Sequence, residues 1–338
     1  MKILTFIVCI SCLVEGWSFE PGAAERVGHI RFEGGGETGH IWYPTQSREP
    51  TTNQRYTRAP VTKGIEAIDN APPSPGHHPL IVLSHGILGL STSYAWLSSL
   101  LAQSGAVVLA PDHPKQSRSD WEEPEQYRFY KRPLTLSGAT NWILKEKRFA
   151  SVIDTGRIYL IGHSVGGHSA LLLAGARFNL EGMMDGSRKS LVRNKLADRM
   201  TQEFVKLKPS LSDIDANARN YRDIRFKKII LLDPTPVYPG FTDQSLGGLI
   251  LPILYVSCSK SEIFDSDKVK ENLLRLIPAM ETRETGAGHF IFAGNGTWLG
   301  RLVLPSIFKD PPGIDREKVH RDVFTWITGF LDITPLGR

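Results

Sequence analysis

The sequence predicts an α/β protein, with a mostly parallel central sheet and helices on both faces. Three observations predict it. Short apolar runs recur at residues 79–84, 106–110, 157–161, 227–232 and 252–257, and runs of that length without alternation suit strands buried on both sides. Segments with helical spacing alternate with them, and strand–helix–strand in repetition means right-handed crossovers and parallel pairing. Breakers close the runs, with His85-Gly86 after the first, Pro111 after the second and Gly162 after the third.

At the N-terminus, Lys2 precedes an apolar run from Ile3 to Val14, and Val14 and Gly16 suit the −3 and −1 positions of a signal-peptidase site. About a dozen apolar residues are too few to span a bilayer but suit the h-region of a signal peptide. Residues 1–16 are therefore expected to be a leader, with export to a secreted or periplasmic location; a buried first strand is the competing reading. Cys9 and Cys12 fall in this leader, leaving Cys258 alone in the mature chain, with neither an intrachain disulfide nor a cysteine metal site. Val8-Cys9-Ile10-Ser11 is a poor lipobox, which argues against a lipid anchor at Cys12.

Strand-like stretches at 27–32 and 40–43 flank Gly34-Gly35-Gly36, and the Pro-, Thr- and Asn-rich residues 45–79 read as an irregular connection. Residues 92–104 carry Tyr94, Leu97, Leu100 and Leu101 at helical spacing. Further helices are expected at 135–149, 169–176, 267–276 and 316–331, with a short strand at 281–284. Residues 179–226 break the rhythm. They are rich in charge (Arg188, Lys189, Arg193, Lys195, Asp198, Arg199), and Leu191, Leu196, Met200, Phe204 and Leu207 sit at roughly helical spacing. The segment reads as a helical insertion over the C-terminal edge of the sheet, lid-like or a plain surface helix. At 338 residues the chain suits one domain over 17–338 with this insertion.

Hydrophobic residues make up 41% and charged residues 22%, enough for a sizeable core. The formal charge of +5 is mild, and no dense Lys/Arg run with interleaved aromatics points to nucleic acid.

Gly162-His163-Ser164-Val165-Gly166-Gly167 contains Gly-x-Ser-x-Gly between a buried strand and a helix, the setting in which that motif presents a nucleophile. The turn is so tight that positions two before and two after the serine must be small, which Gly162 and Gly166 satisfy; Gly167 lets the helix approach the sheet. The helix N-terminus favours developing negative charge. A serine hydroxyl needs a base, and in this strand–turn–helix context acid and then histidine follow in chain order. His289, in Gly286-Ala287-Gly288-His289-Phe290, fits that place. His163 lies inside the turn, His113 follows an early strand and His320 sits in the last helix. Two strand ends offer the acid. Asp233 directly follows residues 229–232 and precedes Pro234, and it is favoured; Glu262 or Asp265, in the loop after the next strand, is the alternative. The oxyanion requires two donors. Val165 N–H, after the nucleophile, is one; Ile87 N–H, in the Ser84-His85-Gly86-Ile87 loop, is the other.

Together Leu83-Ser84-His85-Gly86, Tyr94-Ala95-Trp96-Leu97, Pro111-Asp112-His113-Pro114 and the Ser164 motif resemble the dienelactone-hydrolase-like α/β-hydrolases, including relatives of platelet-activating-factor acetylhydrolase. Ile41-Trp42-Tyr43-Pro44 and Gly288-His289-Phe290 resemble that group's entry strand and histidine loop. The resemblance runs from about residue 25 to 295. It implies the α/β-hydrolase fold and hydrolysis of carboxylic esters without metal or organic cofactor. Many members carry the acid after the penultimate strand, where Ser261 stands here; Leu232-Asp233-Pro234 resembles the acetylhydrolase-like arrangement.

The expected activity is that of an exported esterase or lipase on a small-molecule or lipid ester, through a seryl acyl-enzyme. A phospholipid or platelet-activating-factor-type acylhydrolase, its insertion resting on a membrane surface, is the competing enzyme reading. A peptidase uses the same triad. A non-catalytic hydrolase-fold binding protein is the reading from another class. Asn295-Gly296-Thr297 matches a glycosylation acceptor.

Overall fold

The computed structural model describes residues 26–54, 61–122, 125, 127–184, 209–235 and 240–334. The expected leader at 1–16 and the centre of the insertion, with Leu191, Leu196, Met200, Phe204 and Leu207, lie outside the described residues.

The strands are β1 (Arg26–Gly34), β2 (Glu37–Thr45), β3 (Thr52–Gln54), β4 (Ile65–Asp69), β5 (His78–Ser84), β6 (Val107–Pro111), β7 (Ile153–His163), β8 (Phe226–Leu232), β9 (Ile253–Cys258) and β10 (Glu281–Thr285). They form one sheet in the order β10-β9-β8-β7-β5-β6-β2-β1-β4-β3. Strands β5 to β10 pair in parallel, while β2 runs antiparallel to both β6 and β1. The helices are α1 (Ala95–Gln103), α2 (Lys131–Ile143), α3 (Val165–Ala174), α4 (Leu180–Met184), α5 (Leu211–Ala218), α6 (Asp243–Gly247), α7 (Ser266–Leu276), α8 (Trp298–Val303), α9 (Pro305–Phe308) and α10 (Arg316–Leu331).

Successive side chains of a strand point to opposite faces, and here both faces are apolar. Leu80, Val82, Leu160, Ile229, Leu231 and Tyr255 join one buried cluster, with Leu136 and Ala139 of α2, Leu171 of α3 and Leu273 of α7. Ile81, Leu83, Ile161, Ile230, Leu232 and Val256 join the other, with Leu97 and Leu101 of α1 and Val323 and Ile327 of α10. That is why the central strands read as unbroken apolar runs and why helices cover both faces.

Four local expectations change. Residues 45–79 hold β3, at the edge of the sheet with no buried side chain, and β4 beside it with only Ala67 and Ile68 buried, so no apolar run marked them. Helix α2 begins at Lys131 rather than 135 and ends at Ile143; Pro133 lies in its first turn, where its missing N–H is harmless. Helix α3 starts at Val165, directly after Ser164, and stops at Gly175, which adopts φ 116°. Helices α8 and α9 were not anticipated, being too short to show a period. No helix among the described residues is long and apolar enough to cross a membrane.

Beyond α3 the chain is pinned by Phe178, which is 1% exposed and meets Phe241 edge-on at 5.0 Å and Phe129 at 4.7 Å. Removing its ring opens a cavity that backbone bridging between 178 and 241 keeps from collapsing. Phe178→Ala is expected to lower unfolding free energy by about 3–5 kcal/mol, read from the midpoint of a urea titration; a loss under about 1 kcal/mol would contradict this packing role.

Candidate active site

The ends of β5, β7 and β8 lie side by side, with Ser84 opposite Gly162 and His163 opposite Leu232. Ser164 sits one residue beyond β7, with φ 55° and ψ −122°, a conformation that costs energy and is held by its surroundings. Its N–H donates to Leu232 O at 3.1 Å and its own carbonyl accepts from Gly167 N–H at 2.9 Å. A Cβ on Gly162 would lie 2.2 Å from Gly166 O, and one on Gly166 would lie 2.1 Å from Ser84 O. Only glycine at both positions lets strand, turn and helix close up this far.

Asp233 follows β8 as Ser164 follows β7, and it also has positive φ, at 37°. Its Oδ2 lies 2.6 Å from His289 Nδ1. The carboxylate only accepts, so Nδ1 carries the proton and Nε2 is left as the basic nitrogen. Asp233 is 1% exposed yet fully engaged. Ser266 Oγ donates to its Oδ1 at 2.6 Å, Ser261 Oγ to its Oδ2 at 3.1 Å, and Cys258 N–H approaches Oδ1 at 3.4 Å. Burial first, then the Asp233 charge, pushes the Cys258 thiol and the Tyr255 phenol well above their ordinary values. The other two carboxylates considered do different things. Glu262 accepts the backbone N–H of His289 at 2.9 Å, and Asp265 caps α7 by accepting Lys268 N–H.

His163 lies beneath the turn and ties it to the histidine loop. Its Nε2 is 3.2 Å from His289 O and its Nδ1 2.6 Å from Tyr94 Oη. A carbonyl can only accept, so Nε2 donates and Tyr94 O–H donates to Nδ1. Burial, followed by the neighbouring His289, holds the His163 imidazole well below its ordinary value, so it is neutral. Phe264 and Phe290 stand edge-on to the His289 ring at 5.4 and 5.2 Å.

The loop after β5 carries Gly86, Ile87 and Leu88, and Leu88 adopts φ 56°. His85 Nδ1 donates to Gly86 O at 2.7 Å, while its Nε2 accepts His113 N–H at 3.3 Å. From α2, Arg132 donates to His85 O at 2.6 Å and to Gln116 Oε1 at 2.6 Å. Among the described residues the N–H groups of Ile87 and Val165 have no hydrogen-bond partner, and both residues line the same cavity as Ser164 and His289. Arg132, Tyr94, Ser261 and Ser266 were not assigned roles from the sequence. Tyr94 was visible only as part of a helical motif, and nothing in the spacing marks Arg132.

The cavity has a volume of about 970 Å³. Its walls are mainly apolar: Phe129, Met183 of α4, Ile263, Phe264, Leu304 and Phe308. The first helix of the insertion thus reaches the site. Asn295, of the glycosylation motif, lines the cavity and donates to Glu317 at 3.4 Å. Among the described residues no cluster of His, Cys, Asp or Glu is arranged to hold a metal ion.

A sharp Gly-x-Ser-x-Gly turn closing a parallel strand, with a carboxylate and a histidine following later strands, is the arrangement of the α/β-hydrolase class. The sequence model of the alpha/beta hydrolase family matches residues 81–293, and the chain belongs to that family. Cutinase est2 of Thermobifida alba is 32% identical over 103 residues, 30% of this chain and 31% of that protein. Cutinase cut1 of Thermobifida fusca is 30% identical over 103 residues, 30% of each chain. The match thus spans about a third of the length of these curated relatives. The ferulic acid esterase from Streptomyces cinnamoneus superposes with a TM-score of 0.58 at 18% identity, covering 94% of this chain and 93% of that one; what is shared at that distance is the fold. A dienelactone hydrolase from Anabaena variabilis gives a TM-score of 0.49 at 13% identity, covering 90% of this chain and 98% of that one.

Several buried histidines around the site are held neutral. Burial lowers His85 to about 3, helped by the Arg132 charge; burial lowers His320 to about 4, and His113 and His163 well below 6.5. Below pH 6.5 the unfolded chain binds protons that the folded chain refuses, so stability falls with pH, by up to roughly 1.4 kcal/mol per unit for each histidine. Urea midpoints should drop steadily from pH 7 to pH 5, and His85→Asn should flatten the slope. A midpoint constant across that window contradicts the neutral assignment.

Proposed function

We propose that this chain is a serine carboxylic-ester hydrolase acting through an acyl-enzyme. Ser164 is the nucleophile, His289 the general base and then acid, and Asp233 holds the imidazole in its tautomer and stabilises the imidazolium. Ser164 Oγ attacks the ester carbonyl carbon as its proton passes to His289 Nε2. The oxyanion is received by Ile87 and Val165 N–H. Collapse expels the alcohol, which takes the proton from Nε2, and a water molecule then repeats the sequence on the acyl group.

The observation that carries this reading is the 2.6 Å contact between buried Asp233 and His289 Nδ1, at the wall of a cavity that also holds Ser164. The names of the partial relatives, two cutinases and a ferulic acid esterase, support an ester substrate, and the apolar walls support an apolar acyl or aryl group. Residues 1–16 are read as an export leader, 17–338 as one domain, and 179–226 as an insertion that borders the cavity through Met183.

A lipid-borne ester, as in the phospholipid acylhydrolase reading, is favoured by one observation. On α8, Trp298 is 76% and Leu302 69% exposed, and adjoining α9 contributes Phe308 to the cavity wall. Such a face suits an interface.

Hydrolysis of p-nitrophenyl esters of graded acyl length tests both readings. Ser164→Ala should abolish turnover, Asp233→Asn should lower kcat by about 10⁴, and Glu262→Gln should leave most of it. A folded wild type that cleaves no ester and takes up no fluorophosphonate at Ser164 excludes the proposal. Faster turnover of micellar than of monomeric long-chain ester favours the lipid-borne substrate.

A further inference from the structure

Arg132 is one of the largest fully buried side chains, at 1% exposure. Among the described residues its hydrogen-bond partners are all neutral oxygens: His85 O at 2.6 Å, Gly86 O at 3.5 Å and Gln116 Oε1 at 2.6 Å. A buried cation without a carboxylate partner is unfavourable for folding. Burial lowers the guanidinium to about 9, so it remains charged at neutral pH. Packing alone gives no reason for a charge there.

What the charge holds gives one. His85 O and Gly86 O are the carbonyls of two successive peptides. The second peptide joins Gly86 to Ile87, and in a planar trans peptide C=O and N–H point in opposite directions. Fixing Gly86 O toward the interior therefore aims Ile87 N–H the other way, and Ile87 lines the cavity beside Ser164. Gly86 O receives His85 Nδ1 at 2.7 Å and Gly89 N–H at 3.1 Å, with Arg132 Nη2 as the looser contact at 3.5 Å. Arg132 itself is aimed. Gln116 Nε2 donates to Glu125 O at 2.9 Å and Arg128 O at 3.1 Å, which turns its Oε1 to the guanidinium. Donors on a carbonyl polarise its amide and strengthen the N–H at the other end.

We propose that Arg132 is a positioning residue for ester hydrolysis: it fixes and polarises the two peptides before Ile87, so that Ile87 N–H meets the oxyanion already oriented. The proposal rests on Ser164 being the esterase nucleophile. The Arg132 cation is bonded to the loop that carries Ile87, in a buried setting where such a charge acts strongly. Substrate in its ground state gains little from this arrangement, so the effect falls on kcat rather than KM.

The test compares wild type with Arg132→Met, Arg132→Lys and Gln116→Leu in the full chain, on a p-nitrophenyl ester. Active sites are counted by end-point fluorophosphonate labelling. In Arg132→Met, kcat per labelled site should fall about 10- to 100-fold with KM nearly unchanged, less than the roughly 10²- to 10³-fold loss when a donor is removed outright. An alkyl boronic acid, which forms a tetrahedral adduct with the serine, should bind more weakly by a similar factor. Arg132→Lys should recover part of the loss. Gln116→Leu should lower kcat in the same direction while keeping the charge, and it decides the matter if Arg132→Met does not fold. Unchanged kcat per labelled site, or a loss seen only in KM, overturns the positioning role. Wild type that turns over no ester overturns the esterase reading as well, whereas active wild type beside unaffected variants sinks only this inference.

Discussion

Three backbones meet at the end of β7 more closely than any side chain allows. Gly162 faces Gly166 O, and Gly166 faces Ser84 O, each at a distance where a Cβ has no room. This approach draws the N-terminus of α3 onto the ends of β5 and β7 together. Ser164 is lifted into its strained conformation, and Val165 N–H is freed at the start of the helix. Because β8 is in register beside β7, the same closure sets Asp233 beside the turn at Ser164. A bulkier residue at either glycine would part strand from helix, and the carbonyl of Ser84 would no longer fix where the Gly86–Ile87 loop begins.

Around that point the site is held by buried polar groups rather than by packing alone. Asp233 is met by two hydroxyls, an imidazole and a backbone N–H. His163 joins Tyr94 to the carbonyl of His289, and Glu262 holds the N–H of the same residue. His289 is thus gripped at its ring, its carbonyl and its amide by three different segments. Such networks are strong when every member is satisfied. The neutral histidines in the network tie its integrity to pH. Protonating His163 would put an N–H where the Tyr94 hydroxyl now donates, beside the His289 ring.

The central strands were legible because burial on both faces removes alternation, and the sharp turn at Ser164 because few residues fit it. His289 and Asp233 were legible as positions after strands, but the choice among Asp233, Glu262 and Asp265 was not. Spacing says which strand end is near; it does not say whether a carboxylate meets the ring, the amide or a helix cap. Strands β3 and β4 escaped notice because they are short and bury little, β3 no side chain and β4 only Ala67 and Ile68. Arg132 was invisible for a different reason. The spacing starts the helix at 135 and leaves Arg132 in the preceding loop, where an arginine normally faces water, and only the fold shows that the first turn of α2 backs onto the loop after β5.

Ser261 brings these threads together. It stands where many resembling hydrolases carry their acid, and here its hydroxyl donates to Asp233 Oδ2, the oxygen that also accepts from His289. The loop after β9 and the end of β8 therefore converge on one small volume beside Nδ1. Two carboxylates in that volume would repel, and one would be driven to protonate. With Asp233 filling it from β8, the β9 loop is left to supply a neutral donor, and serine is such a residue. The adjacent Glu262 then turns to the His289 amide. The acid at 233 and the hydroxyl at 261 are thus a single solution: one charge, placed from one strand and solvated from the next.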